Sequence, residues 1–139
     1  MSAFKSKYGK LAGTTYDEAV RSARREYRTI QHLTKRQPYV RSKYFDGDKV
    51  FINIFFNHLV QKRKGEQLQR AKLFLCAIDL LRNTTNSPQT IFKRANLNEI
   101  LHRFEGFTKD GELFYVQVKQ NKRTGRKDFM SVFPARNIK

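Results

Sequence analysis

Residues 99–134 constrain the fold more strongly than any other part of the chain. Three runs rich in β-branched and aromatic residues are separated by two turn signals, at residues 109–111 and 121–125. The Asp-Gly and Thr-Gly pairs in these turns supply the positive φ angles that tight hairpins require. The pattern predicts an antiparallel meander of three strands.

The middle run alternates between apolar and polar side chains from Phe114 onward. An alternation of period two indicates a half-buried strand with one apolar and one polar face. The apolar face carries Phe114, Val116 and Val118, and the polar face carries Tyr115, Gln117 and Lys119. With Ser131 of the third run expected beside them, the meander offers a rigid polar surface, and its apolar face needs a cover.

Helical patterns precede the meander. A capping box of Thr15 and Glu18 is expected to start a helix that runs to about residue 35. Residues 39–54 resemble a hairpin, and a short helix follows as far as a break at Gly65. A longer helix, from about residue 66 to residue 82, is the best candidate to cover the apolar face.

These elements predict an α+β fold in which N-terminal helices pack on a C-terminal antiparallel β-meander of three to four strands. Residues 1–13 are expected to form a mobile basic arm, or a strap held by Phe4 and Tyr8. Residues 14–139 are expected to form a single domain that processes nucleic acid. The one cysteine, Cys76, lies in an apolar helical run, where a buried thiol is expected. No run approaches transmembrane length, so we expect no membrane partner and favour a cytoplasmic setting.

The formal net charge is +17, and the excess is spread along the whole chain. Such a charge opposes compaction through self-repulsion, and its main use is to bind a polyanion. Nucleic acid is the commonest polyanionic partner, and RNA is the one that we expect here. The candidate nucleic-acid-binding residues are Arg21, Arg24, Arg25, Arg28, Lys62, Lys64, Arg103, Tyr115, Lys119 and Arg123.

The sequence has no zinc-ligand spacing, no glycine-rich phosphate loop and no carboxylate cluster for two metal ions, so we expect no cofactor. RNA carries its own nucleophile, the 2′-hydroxyl, and its cleavage requires a base, an acid and cations that stabilise the phosphorane. Histidine, arginine and a hydroxyl can supply these groups. His32, near the end of the first helix, is expected to be structural. The candidate catalytic residues are His58, Arg63, Ser131 and His102.

The order of these elements resembles the barnase–EndoU–colicin–RelE superfamily of metal-independent ribonucleases, and in particular its phage-encoded branch. The resemblance rests on residues 55–64, FFNHLVQKRK, followed by a helix, an Asn/Pro loop and strands that end in Ser131 and two further residues, Val and Phe. In that branch a helix carries a histidine shortly before a second histidine or basic position, and a late strand carries Ser or Thr before an aromatic residue. The resemblance implies functional positions at His58, Arg63 and Ser131, with Arg63 where a second histidine is expected.

Three functions are open on these observations. The first is a toxin-like, metal-independent endoribonuclease in which the 2′-hydroxyl attacks the adjacent phosphate, accompanied by an acidic inhibitor or antitoxin protein. The second is a non-catalytic nucleic-acid-binding module that uses a basic helix and a sheet face. The third is a basic adaptor for an acidic protein. Convergence of His58 and either Lys62 or Arg63 with one further residue around a single phosphate favours the first; that residue is Arg103, Lys119 or Ser131. A large separation of His58 from Ser131 favours the second.

Overall fold

The computed structural model describes residues 3–11, 15–92 and 98–135, apart from the side chains of Tyr16, Lys64 and Phe92. Over these residues the chain is an α+β protein with four helices and a seven-stranded mixed sheet. The helices are α1 (Tyr16–Leu33), α2 (Phe55–Leu59), α3 (Lys64–Lys72) and α4 (Phe74–Asn83). The strands are β1 (Phe4–Lys5), β2 (Tyr39–Ser42), β3 (Asp48–Phe51), β4 (Gln89–Phe92), β5 (Glu99–Phe107), β6 (Leu113–Asn121) and β7 (Lys127–Pro134).

The predicted meander is confirmed and forms the centre of the sheet. β5 pairs antiparallel with β6, which pairs antiparallel with β7. The two turns contain Gly111 at φ 89° and Gly125 at φ 80°, backbone conformations that favour glycine. A β-bulge in β7, with Met130 as its extra residue, lies between the pairs Gln117–Ser131 and Val118–Phe129.

The sheet extends beyond the meander because both of its outer strands take further partners. β1 pairs parallel and β4 antiparallel with β5, and β3 pairs parallel with β7. The strand order is β1-β5-β6-β7-β3-β2, with β4 beside β5. The predicted division into N-terminal helices and a C-terminal meander is therefore only partly right. Three strands precede α2, and two of them, β1 and β3, pair with edges that an isolated meander would expose.

The hairpin predicted within residues 39–54 is confirmed as β2 and β3. Its turn places Asp46 at φ 56° and Gly47 at φ 86°. The two strands pair antiparallel, with Tyr39 opposite Phe51.

The helices differ from the prediction at Gly65 and at Leu73. α1 begins as expected, because the Thr15 hydroxyl accepts a hydrogen bond from the Glu18 backbone N–H at 3.3 Å. The single helix predicted for residues 66–82 is two helices, since the backbone leaves helical geometry at Leu73 (φ −94°, ψ 3°). Gly65 does not interrupt a helix but lies in the first turn of α3. The break directs α4 into the core, where most of its side chains are buried.

An aromatic cluster joins the helices to the apolar face of the sheet. Phe55 of α2 stacks on Phe129 of β7 with ring centroids 4.8 Å apart, and Phe74 of α4 lies 5.3 Å from Phe55. α4 also lies against β5, because a Cβ at Gly106 would come within 2.8 Å of Leu80 Cδ1. The cover of the apolar face is thus α4 together with α2.

The N-terminal segment lies on the body of the protein along residues 3–11. Phe4 pairs with Gly106 of β5. The buried Asp79 carboxylate of α4 accepts hydrogen bonds from the Ser6 hydroxyl (2.8 Å) and from the Lys7 backbone N–H (3.0 Å). The rest of the arm predicted for residues 1–13 falls outside the described residues. None of the helices seen here combines the length and the apolar character that crossing a membrane requires.

Candidate functional site

The strand register arranges the polar side chains of the meander in two rows. In the first row, Arg103 of β5 lies opposite Gln117 of β6, which lies opposite Ser131 of β7. In the second row, Glu105, Tyr115 and Phe133 are aligned in the same way. Lys119 lies on the same side in a further row, between Leu101 and Asp128. We call this surface the polar face, and we define it by Arg103, Glu105, Tyr115, Gln117, Lys119, Ser131 and Phe133. Its position on three hydrogen-bonded strands holds these groups rigidly.

A helix adds an arginine that the sequence analysis missed. Arg70 of α3 donates a hydrogen bond from Nη1 to Ser131 Oγ, and its guanidinium lies 5.1 Å from the centroid of the Phe133 ring. Arg103 approaches from the other side, with its guanidinium 5.9 Å from the centroids of both Phe133 and Tyr115. Both guanidinium groups therefore lie near the Phe133 ring, and Arg70 also contacts the Ser131 hydroxyl.

The two guanidinium groups have bonding capacity that the protein does not use. The Nε atoms of Arg70 and Arg103 are buried and have no acceptor among the described residues. Within the described residues, neither the Arg70 nor the Arg103 guanidinium forms an ion pair with a carboxylate. Burial lowers the pKa of Arg70, and the nearby Glu66 opposes that shift. The planar guanidinium group of arginine can donate two parallel hydrogen bonds to the oxygens of a phosphate group.

His58 lies near Lys119, one of the cations of the polar face. Phe55, Phe56 and Leu59 are buried and anchor the short helix α2, which leaves His58 half-buried. Burial lowers the pKa of the His58 imidazole, and the charges of Lys119 and Lys62 lower it further. The imidazole is therefore neutral at neutral pH, the form in which it can accept a proton.

The remaining residues predicted on this segment differ in their exposure. Lys62 is exposed and close enough to His58 to influence its pKa. Arg63 precedes α3 directly and is also exposed. The side chain of Lys64 lies outside the described part of the structure. Arg123 is exposed in the turn between β6 and β7.

The predicted arginines of α1 form a separate basic face that adjoins α2. Arg21, Arg24 and Arg28 share one side of the helix and line a cleft of about 350 Å³. The Arg24 guanidinium lies 4.4 Å from the centroid of the Phe56 ring. Arg25 is exposed as well. Through Phe56, this face borders the helix that carries His58.

The structure does not bring His102 to this site. His102 precedes Arg103 in β5, and consecutive strand residues point to opposite faces, so its ring lies on the other side of the sheet. There the ring is buried, its nitrogens lie 3.1 Å from Thr90 Oγ1 and 2.7 Å from Gln120 Oε1, and it packs 5.1 Å from the Phe45 ring. Both nitrogens are thus engaged within the protein. Of the predicted catalytic residues, Ser131 lies on the polar face, and His58 is close enough to Lys119 of that face for the lysine charge to act on its imidazole.

A cleft of about 220 Å³ opens beside Arg103 and Tyr115. The loop before β4 and the N-terminal segment complete its walls, with lining residues Ala3, Asn86, Ser87, Gln89, Arg103, Glu105 and Tyr115. Its walls are mainly polar and include one aromatic ring. Such a combination can hold a nucleobase next to a phosphate bound by the arginines.

The described residues contain no group of three or more histidine, cysteine, aspartate or glutamate side chains that could hold a metal ion. The site consists instead of cations, an imidazole, a hydroxyl and aromatic rings. Comparison with known proteins finds no matching family model, no matching curated protein and no matching solved structure.

Proposed function

We propose that this chain is a metal-independent endoribonuclease of the barnase–EndoU–colicin–RelE type that acts on the polar face. The observation that carries the proposal is that Arg70 and Arg103 reach the face that holds Ser131 and Lys119, and that the charge of Lys119 acts on the His58 imidazole. These groups come from α2, α3 and all three strands of the meander. Together they offer what RNA cleavage through the 2′-hydroxyl requires, namely a base and a set of cations around one phosphate.

The arginines and Ser131 bind the phosphate in this proposal. The scissile phosphate accepts hydrogen bonds from the guanidinium groups of Arg70 and Arg103, both of which are only partly buried. Ser131 keeps Arg70 in position through its hydrogen bond. Donors that are fixed before the reaction stabilise the charge that develops on the phosphorane, and removal of one such donor typically costs about 10²–10³ in rate.

His58 is the general base. Its neutral imidazole takes the proton of the 2′-hydroxyl while the oxygen attacks phosphorus, and the bond between phosphorus and the 5′-oxygen breaks. The products are a 2′,3′-cyclic phosphate and a 5′-hydroxyl. We assign the proton that the leaving oxygen takes to the Lys119 ammonium, whose charge already acts on the same imidazole.

The alternative is a nucleic-acid-binding module without catalysis. One observation favours this alternative. Both ring nitrogens of His102 are engaged on the opposite face of the sheet. Of the histidines that the structure describes, this leaves His58 as the one near a residue of the polar face. Many metal-free mechanisms use two proton-transfer groups, and the second role is assigned here to Lys119, not to a histidine. The two functions predict the same binding and differ only in bond cleavage.

RNA cleavage in excess EDTA separates them, with His58→Ala and His32→Ala as matched variants. His58→Ala should lower the cleavage rate by about 10²–10⁴ and leave RNA affinity nearly intact. His32 is exposed at the end of α1, so its variant should behave as wild type. Loss of all cleavage activity in EDTA would contradict the metal-independent mechanism. RNA binding without cleavage by the wild type would establish the alternative.

An acidic protein inhibitor is part of the same proposal. A nuclease with a net charge of +17 would attack RNA in its own cell, and a surface of that sign attracts an acidic protein. Purification of the chain from its native host should yield a co-purifying acidic protein. Normal growth of cells that express the wild type alone at high level would count against both the toxicity and the inhibitor.

A further inference from the structure

A second basic surface lies at the far edge of the sheet, where β2 is the last strand. The outward side of the β2–β3 hairpin carries two register pairs, Tyr39 opposite Phe51 and Arg41 opposite Lys49. The alternate pair, Val40 and Val50, is buried in the core. The hairpin therefore presents two aromatic rings and two cations to solvent side by side.

A cleft of about 830 Å³ runs over these rings. We call it the edge groove; its lining residues are Leu33, Thr34, Lys35, Arg36, Gln37, Tyr39, Lys49 and Phe51. One wall is the segment that joins α1 to β2, and it contributes Lys35 and Arg36. At its end Leu33 is 79% exposed, which adds apolar surface next to the cations.

Cations lie close to both rings. Lys49 Nζ lies 4.7 Å from the centroid of the Tyr39 ring, and the Arg126 guanidinium lies 4.0 Å from that of Phe51. Arg126 is held there by Asp128 and by a 2.8 Å hydrogen bond from its Nη2 to Gln37 Oε1. The eight lining residues of the groove include three cations and no carboxylate. The edge groove is therefore an electropositive channel that contains aromatic surfaces on which bases can stack.

We propose that the edge groove binds single-stranded nucleic acid, with bases stacked on Tyr39 and Phe51 and phosphates held by Lys35, Arg36 and Lys49. Proteins that bind single strands without sequence preference combine these two features. An acidic protein would also be attracted by the positive charge of the groove, but its binding would not require the Tyr39 and Phe51 rings. The identification of the bound strand as substrate RNA rests on the proposed function, whereas the binding itself does not.

The test measures the affinity of a labelled oligodeoxynucleotide, which has no 2′-hydroxyl and cannot undergo the proposed cleavage. Tyr39→Leu should weaken binding by roughly ten-fold, because it removes a stacking surface, and Tyr39→Phe should retain it. Polyphosphate, which has phosphates but no bases, should bind the wild type and Tyr39→Leu equally. Wild-type affinity of Tyr39→Leu for the oligonucleotide would overturn the proposal, as would equal losses for both polyanions.

Two variants with the same net charge distinguish a specific effect of the groove from a general effect of net charge or of misfolding. Lys49→Gln removes one cation from the groove, and Lys109→Gln removes one from the exposed turn between β5 and β6, beside the opposite edge of the sheet. Lys49→Gln should weaken oligonucleotide binding several-fold more than Lys109→Gln. Equal losses would refute the groove. Cleavage of RNA by either variant is a separate readout, so failure here leaves the proposed nuclease site untouched.

Discussion

Arg70 of α3 donates a hydrogen bond to the Ser131 hydroxyl of β7, although the two residues are 61 positions apart in the sequence. The contact joins a helix to the polar face of the sheet and places a half-buried guanidinium beside Phe133. Ser131 therefore has a definite role in the proposed site: it orients a phosphate-binding cation.

Replacement of Arg70 tests this role. Arg70→Ala should lower kcat/KM for RNA by about 10²–10³, because a prepositioned donor to the phosphorane is lost. Arg70→Lys should recover little, since an ammonium cannot reproduce the planar fork. The measurement is RNA cleavage in EDTA, with thermal unfolding as a check on folding. Arg82→Ala, at an exposed position of α4, is the control, and an equal loss in that variant would contradict the assignment.

The rate of cleavage should rise with pH as His58 loses its proton. Burial, Lys119 and Lys62 lower the pKa of His58 below its ordinary value of 6.5, so the rise should be complete by neutral pH. Lys119→Gln removes one of the charges and should move the measured pKa of His58 upward. NMR titration of the imidazole in the two proteins checks this directly. A midpoint at or above 6.5 in the wild type would contradict the arrangement.

Stability should fall as the pH is lowered from 7.5 to 5.5. The pKa values of His58 and His102 are both lowered in the folded state, mainly by burial. At pH values between the folded-state pKa and 6.5, these histidines bind more protons in the unfolded chain than in the folded protein. The free energy of unfolding is therefore highest above pH 6.5 and decreases as the pH falls through this range. Urea denaturation at several pH values measures the slope. His102→Gln should flatten it, and an unchanged slope would show that His102 does not contribute.

Removal of the Asp79 carboxylate should loosen the N-terminal segment. Asp79 is buried and accepts hydrogen bonds from Ser6, from the Lys7 backbone and, at 2.8 Å, from Asn83 Nδ2. Asp79→Ala leaves these donors without their acceptor, which should cost about 1–3 kcal/mol. Asp79→Asn keeps one acceptor oxygen and should cost less. Urea denaturation gives both values, and equal stability of Asp79→Ala and wild type would contradict the role.

The Cys76 thiol should be inert in the folded protein. Burial raises the pKa of Cys76 to about 11, and its Sγ lies 3.3 Å from the Tyr8 carbonyl oxygen, to which it donates a hydrogen bond. The reactive thiolate is therefore scarce at neutral pH. Alkylation at pH 7.5 should be slow in buffer and fast in urea. Rapid modification of the native protein would show that the site opens.

Local patterns were sufficient to predict several parts of the structure. The alternation from Phe114 onward and the two turn signals predicted the meander, because strand periodicity and tight turns depend on the backbone geometry of a few neighbouring residues. The same alternation separates His102 from Arg103. The sequence also indicates the His58 segment and Ser131 as candidate positions, through a histidine beside cations and a resemblance in element order.

Only the tertiary structure decided which groups meet. Nothing in the sequence distinguishes Arg70 from the other arginines of the chain; its contact with Ser131 depends on the helix break at Leu73 and on the packing of α3 beside β7. The parallel pairings of β1 and β3 and the edge groove over Tyr39 likewise depend on strands that are distant in sequence. Periodicity specifies the face on which a side chain lies, whereas its partner is selected by long-range packing that no local pattern encodes.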